Sequence, residues 1–212
     1  GGRYLMFYTG NPNGDRGAQR IGLATADALD GPWRPRPAPL LQPAPGAAWD
    51  SCMTVNPAFV RAPDGQCMLY YKAWDCHHDG KLKIGLALAD RPEGPWRRHA
   101  ENPLLDYGAQ GISVEDPYVF RHGGRYHLLL RDMGIAGHKS GLHYSSEDGV
   151  HWGAPRLAYR TSAHYFGGEP QRFERPQVLM RDGRPAWLFL ACMGGRYGHA
   201  SGAVLRVTGG GQ

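Results

Sequence analysis

Lysine is almost missing: Lys72, Lys81, Lys83 and Lys139 are the four among 24 basic residues in a chain of 212, so arginine carries the formal charge of +5. Those arginines are scattered among acids instead of forming one stripe or one helical face, which argues against a nucleic-acid partner. No stretch approaches eighteen uninterrupted apolar residues, so a membrane-spanning helix is not expected. Cysteine is sparse as well. Cys52, Cys67, Cys76 and Cys192 have no CxxC or metal-finger spacing, so they read as buried free thiols on strands, with a Cys52–Cys76 bridge as the alternative. The chain opens Gly1-Gly2-Arg3-Tyr4 without an initiator Met or a basic-then-apolar leader, so it carries no information about secretion.

What is present is glycine, proline and aromatic residues: 31 Gly, 17 Pro and 11% Phe, Trp and Tyr, the profile of many short strands joined by tight turns. These recur in order. A turn followed by an aromatic strand appears four times, as Gly1-Gly2 before RYLMFYTG, Asp64-Gly65 before QCMLYYKA, Gly123-Gly124 before RYHLLLRD, and Asp182-Gly183 before RPAWLFLA. The second glycines stand at 2, 65, 124 and 183, spaced by 63, 59 and 59 residues. Asp-Gly and Gly-Gly between apolar runs are hairpin turns, because both central residues must accept positive φ. After the strand comes a second element, RIGLATADALDGPW, KIGLALADRPEGPW or GLHYSSEDGVHW, ending in Trp33, Trp96 or Trp152. Before the hairpin stands a third, TVNPAFVRA, SVEDPYVFRH or RFERPQVLMR.

Each unit therefore predicts a four-stranded antiparallel blade, and a radial series of blades predicts an all-β propeller. The expected organisation is a single incomplete propeller domain over 1–212, with blade units near 1–48, 49–108, 109–168 and 169–212. The rival, two stacked sheets, does not require such regular repetition. Three units carry a first strand and one lacks it, so the ring is expected to be truncated.

The first strands hold polar residues at similar distances from their turns. Asn56 stands nine residues before Gly65, Asp116 eight before Gly124, and Glu174 nine before Gly183. Inner strands line a propeller's channel, so these three are expected to share one height and point at one place. Two carboxylates are the minimum for glycosidic cleavage, one to protonate the leaving oxygen and another to act opposite it. Taken singly, Asn-Pro and Asp-Pro are also ordinary strand-start turns.

VEDPYVFRHGGRYHLLL, FERPQVLMRDGRPAWLF and the blade-closing ADRPEGPW together resemble the five-bladed hydrolases of glycoside hydrolase family 43 and its clan relative family 32, over nearly the whole chain. The resemblance implies three acids, on the first, third and fourth blades. It gives Asp116 the third-blade role, tuning the acid and orienting the sugar, and Glu174 the role of fourth-blade general acid. Asn56 falls on the second blade, where those families have no catalytic residue. The first-blade Asp, the base or nucleophile, would precede Gly2 by eight or nine residues and so lie before residue 1.

Secondary candidates are weighed against plainer roles. Asp50 could bind sugar hydroxyls or cap a turn. Trp49 and Trp74 could stack on a sugar ring or pack the blade. His164, on the loop entering the fourth blade, could assist the acid, as the resemblance implies, or be an ordinary surface-loop histidine, with Glu169 as a competing carboxylate nearby. Arg175 flanks Glu174 and could touch substrate or pair with an acid. Alternation along the strand aims Glu115 away from Asp116. The run Asp75-Cys76-His77-His78-Asp79 lacks the i, i+4 spacing of a zinc helix, so no catalytic metal and no cofactor are expected, though the resemblance admits a structural calcium ion. The expected partner is a carbohydrate, cleaved by a glycosidase. A propeller that binds sugar without turnover, and a phosphorylase with basic side chains converging beside Glu174, are the other two readings.

Overall fold

The computed structural model describes residues 2–75, 80–169, 171–194 and 199–208. Its contacts divide it into two compact units, Gly1–Ser113 and Val114–Gln212. The first unit holds two antiparallel sheets. One pairs β1 (Tyr4–Gly10), β2 (Arg20–Ala26) and β3 (Arg34–Pro35) in chain order, and the other pairs β4 (Met53–Arg61), β5 (Cys67–Trp74), β6 (Lys83–Ala89) and β7 (Arg97–Arg98). The second unit repeats the plan with β8 (Glu115–His122), β9 (Arg125–Arg131), β10 (Gly141–Ser146) and β11 (Arg156–Tyr159), and then β12 (Phe173–Arg181), β13 (Arg184–Gly194) and β14 (His199–Arg206). A five-residue helix, α1 (Ser162–Phe166), interrupts the connection read from sequence as a loop. Each sheet is one blade, and the fold is all-β as expected.

The two hairpins of the second unit follow from their turn residues, whereas at Asp64-Gly65 only the glycine has positive φ. Gly123 and Gly124 join β8 to β9 at φ +57° and +77°, and Asp182 and Gly183 join β12 to β13 at +51° and +72°. Positive φ at both positions matches the right-handed twist of the flanking strands.

Apolar alternation then sets the cores. In the first unit Ile21, Leu23, Leu69 and Tyr71 are buried with Leu40 and Leu41, and Phe7 stacks on Phe59 at 4.6 Å. In the second unit Leu129, Tyr159, Phe173, Val178, Leu188 and Leu190 form the core. Glycine recurs at one position of β2, β6, β10 and β14, and in the first three it makes room for an aromatic ring. A Cβ on Gly22 would lie 2.3 Å from the ring of Tyr8, one on Gly85 2.6 Å from Trp49, and one on Gly141 2.0 Å from Tyr159. At the corresponding position of β14, Gly202 has only the Leu190 carbonyl within reach, at 4.0 Å.

Cys67 and Cys192 are buried free thiols, as read from sequence. Cys52 is disulfide-bonded, which corrects the free-thiol expectation at that position; its partner lies outside the described residues. Among the described residues no helix is long and apolar enough to cross a membrane.

Candidate active site

Three inner strands share one local distortion. Pairing slips between Val55 and Ala58 in β4, between Glu115 and Tyr118 in β8, and between Glu174 and Gln177 in β12. In each slip the residue before proline is left-handed: Asn56 at φ +51°, Asp116 at +59° and Arg175 at +51°. Proline cannot donate to the ladder, so the strand bulges there and one residue drops out of register.

This bulge corrects the alignment read from sequence. The residue matching Asn56 and Asp116 in β12 is Arg175, whereas Glu174 occupies the place of Glu115 one step earlier. It also corrects the expectation that alternation turns Glu115 away from Asp116, because a left-handed residue breaks the two-residue period. Carboxylate oxygens of Glu115, Asp116 and Glu174 lie within 4.8 Å of one another.

Asp116 is 4% exposed, and its Oδ2 accepts the backbone N–H of Arg175 at 3.2 Å. Arg131, at the end of β9, sits between the two glutamates. Its Nη1 donates to Glu115 Oε1 and, at 2.8 Å, to Glu174 Oε1. Arg172 Nε forms a further ion pair with the same Glu174 oxygen at 3.1 Å, without hydrogen-bond alignment. The side chains of Arg131, Glu115 and Glu174 are 14%, 13% and 17% exposed, so the cluster is shielded yet open enough to be reached. These three carboxylates are near enough to share a cation, but the Arg131 guanidinium already stands among them as counter-charge.

Behind the cluster, Asp132 is buried and ties down the loop after β9. Its Oδ1 accepts the N–H groups of Gly134 and Ile135 at 3.0 and 2.8 Å, and its Oδ2 accepts the Ser140 hydroxyl at 3.1 Å. Tyr159 stands at the far end of the same row as Arg131. Glu115 pairs with Arg131, Arg131 with Gly141 and Gly141 with Tyr159, so all four share one row across the blade. Burial first, and then the Asp116 charge, hold the Tyr159 phenol far above its ordinary range, so it stays a neutral O–H.

The remaining candidates fall elsewhere. Asp50 is 1% exposed, and its Oδ2 accepts the Tyr71 hydroxyl at 2.9 Å and Arg98 Nε at 2.6 Å. Trp49 stacks on Tyr71 with centroids 5.7 Å apart, while Trp74 is partly buried at the end of β5. Asn56 is half-buried, its backbone N–H donating to Thr9 Oγ1 at 3.0 Å. His164 lies on α1, exposed, its ring edge against Tyr165. Glu169 is exposed beside a cavity of about 590 Å³ that Phe166, Gln171, Cys192 and Gly202 also line. Arg175 is exposed and meets Asp116 through its backbone, not its guanidinium. Of the Asp75–Asp79 run, residues 76–79 lie outside the described residues.

Sequence reasoning missed Arg131, Arg172 and Tyr159. A signal for Arg131 was available. It is the arginine inside the apolar run LLLRD, at the position where β1 and β5 pair Tyr8 and Tyr71 with their glycines.

No family model and no curated protein matches the sequence. Solved structures do. The chain superposes on Zg3597, a family 117 glycoside hydrolase of the marine bacterium Zobellia galactanivorans, with TM-score 0.70 and 22% identity, covering 96% of this chain and 57% of that one. A thermostable family-43 glycoside hydrolase gives TM-score 0.65 at 20% identity, over 90% of this chain and 60% of the other. Fructan 1-exohydrolase IIa from Cichorium intybus gives 0.67 at 19%, over 98% and 40%. The chain thus spans less than two thirds of the length of each. The fold is that of the five-bladed β-propeller glycosidases.

Proposed function

We propose that this propeller hydrolyses O-glycosidic bonds of oligo- or polysaccharides, with Glu174 as general acid and Asp116 as the ionised group that steadies the sugar cation. The observation that carries this is the convergence of both carboxylates within 4.8 Å in a shielded cluster reached from two blades. Glu174 would give its proton to the glycosidic oxygen as the C–O bond breaks and the bonding pair leaves with that oxygen. Positive charge then grows at the anomeric carbon, where a fixed, buried carboxylate such as Asp116 is worth more than in water. Water completes the reaction by adding to that carbon and losing a proton to a further carboxylate. The role cannot fall to Asp116, because an acid and a base that admit a water between them stand roughly 6.5–9.5 Å apart.

A specific observation favours a second reading, phosphorolysis: Arg131 and Arg172 converge on Glu174. The charge count gives it no support: with Glu174 protonated as the acid, Glu115 and Asp116 balance the two guanidinium groups and leave no net positive charge to hold a phosphate. Cleavage of a panel of oligosaccharides and nitrophenyl arabinosides, xylosides, galactosides and fructosides, with and without phosphate, separates the readings. Glu174→Gln should lower turnover of unactivated glycosides about 10²–10⁴-fold, and Asp116→Asn about 10²–10³-fold. Unchanged rates in both variants, or turnover that requires phosphate, overturn the hydrolase reading. Sugar binding without turnover in the unmodified protein would establish a binding propeller instead.

A further inference from the structure

We propose that Arg131 is a positioning residue that decides which oxygen of Glu174 carries the catalytic proton, with Glu115 as its resident counter-charge. The inference rests on the reading of Glu174 as general acid. A carboxyl group has two oxygens, and only one of them can face the glycosidic bond. Both guanidinium groups engage the same one: Arg131 Nη1 donates to Oε1 at 2.8 Å, and Arg172 Nε lies 3.1 Å from it. An oxygen that accepts from one guanidinium and lies beside a second is a poor place for a proton, because the proton would displace the donor and face two positive charges. The proton therefore goes to Oε2, which has no partner among the described residues. After transfer the negative charge returns to a carboxylate already anchored by two cations.

Arg131 is held for this task from three sides. Glu115 takes the same Nη1, so the guanidinium sits between two carboxylates. Asp132, the next residue in the chain, pins the following loop. On the outer side the Tyr159 ring lies flat across Gly141 and edge-on to Phe173, the neighbour of Glu174, with centroids 6.2 Å apart. The tyrosine thus fills the end of the row, with Gly141 paired between it and Arg131. Arg172, with its side chain 43% exposed, is a looser and more screened partner. Arg131 thus carries most of the orientation.

The test is leaving-group dependence, because only a poor leaving group needs the acid. Methyl and dinitrophenyl arabinosides, xylosides and galactosides are compared with the intact protein. Glu174→Gln should cost at least 100-fold on the methyl glycoside it cleaves and under about 5-fold on the dinitrophenyl one, as befits loss of a general acid. Arg131→Met should follow the same pattern more weakly, about 30-fold against under about 3-fold, with the loss in kcat and not in KM. Arg131→Lys, which keeps the charge but not the fork, should recover part of it. Adding Glu115→Gln to Arg131→Met should also recover part, because the unopposed Glu115 charge has gone. If the Met variant fails to fold, Arg131→Lys and Glu115→Gln carry the comparison, and the lysine protein must still lose more on the methyl glycoside. Equal losses on both leaving groups from Arg131 variants, with Glu174→Gln still selective, overturn this inference and leave the acid assignment standing. A Glu174→Gln protein without leaving-group selectivity, or an unmodified protein that cleaves none of the panel, overturns both.

Discussion

Gly141→Ala and Gly202→Ala place the same methyl group at matching positions of the third strands in two adjacent blades, and the structure separates their consequences. At Gly141 the new Cβ would lie 2.0 Å from Tyr159 Cε1 and 2.1 Å from Cζ. Carbon atoms in contact sit about 3.5–4.0 Å apart, so the ring must retreat by roughly 1.5–2 Å. It has nowhere to go cheaply: Tyr159 is 2% exposed and packs against Phe173. Overpacking a filled interior costs about 1–3 kcal/mol, and expelling the ring forfeits its buried area as well, so about 3 kcal/mol is expected. At Gly202 the nearest atom is 4.0 Å away, and relief of glycine's backbone entropy makes alanine neutral or stabilising by up to about 0.5–1 kcal/mol. Thermal and urea unfolding of both variants measure the difference. With roughly 2–4 °C per kcal/mol for a chain of this size, Gly141→Ala should lower Tm by about 6–12 °C. A Gly141→Ala protein within 2 °C of the parent (about 1 kcal/mol or less), or a Gly202→Ala protein damaged as badly, would refute the reasoning.

Tyr71→Phe removes a hydroxyl that donates to the buried Asp50 carboxylate at 2.9 Å, and should cost about 2 kcal/mol in urea unfolding while leaving glycoside turnover near normal; a large loss of sugar affinity would return Asp50 to the binding surface. The pair His127–His143, joined Nδ1 to Nε2 at 2.8 Å, predicts a pH dependence. Burial first lowers both imidazoles, helped at His127 by His122 and Arg125 and at His143 by His127 and Arg156, while the His122 carbonyl pulls His127 the other way. The unfolded chain therefore binds these protons more readily, so the contribution is full above the unfolded value of about 6.5 and is lost as pH falls through the lower folded values. Tm measured from pH 8 to pH 5 should fall, and His143→Gln should flatten that slope; an unchanged slope in the variant would assign the fall to other groups.

The blade plan was legible because each of its signals is local. Paired turn residues, period-two alternation and a recurring Trp need no knowledge of partners, and they repeat. The two proposed catalytic acids were legible through the Asp-Pro and Glu-Arg-Pro strands, but the argument from common height was off by one. Counting residues back from a turn assumes an unbroken ladder, and a left-handed residue before proline breaks it at Asp116 and Arg175. The same kink hid Glu115, which strict alternation sends to the far face. Arg131 and Tyr159 were illegible for another reason. Their importance comes from a row running across four strands, and residues 115, 131, 141 and 159 become neighbours only when pairing registers are known. The helix at Ser162–Phe166 shows the opposite limit, being too short for any periodic signal.

The left-handed residue before proline has an evolutionary implication. Because that position has left the hydrogen-bonding ladder, its side chain is released from the pairing register that governs the rest of the strand. Three of the four blades thereby offer a socket whose occupant can change without altering the ladder: an amide at Asn56, an acid at Asp116, a base at Arg175. Asn and Asp tolerate such backbone angles better than branched side chains do. A lineage could thus trade catalysis for recognition, blade by blade, through single substitutions.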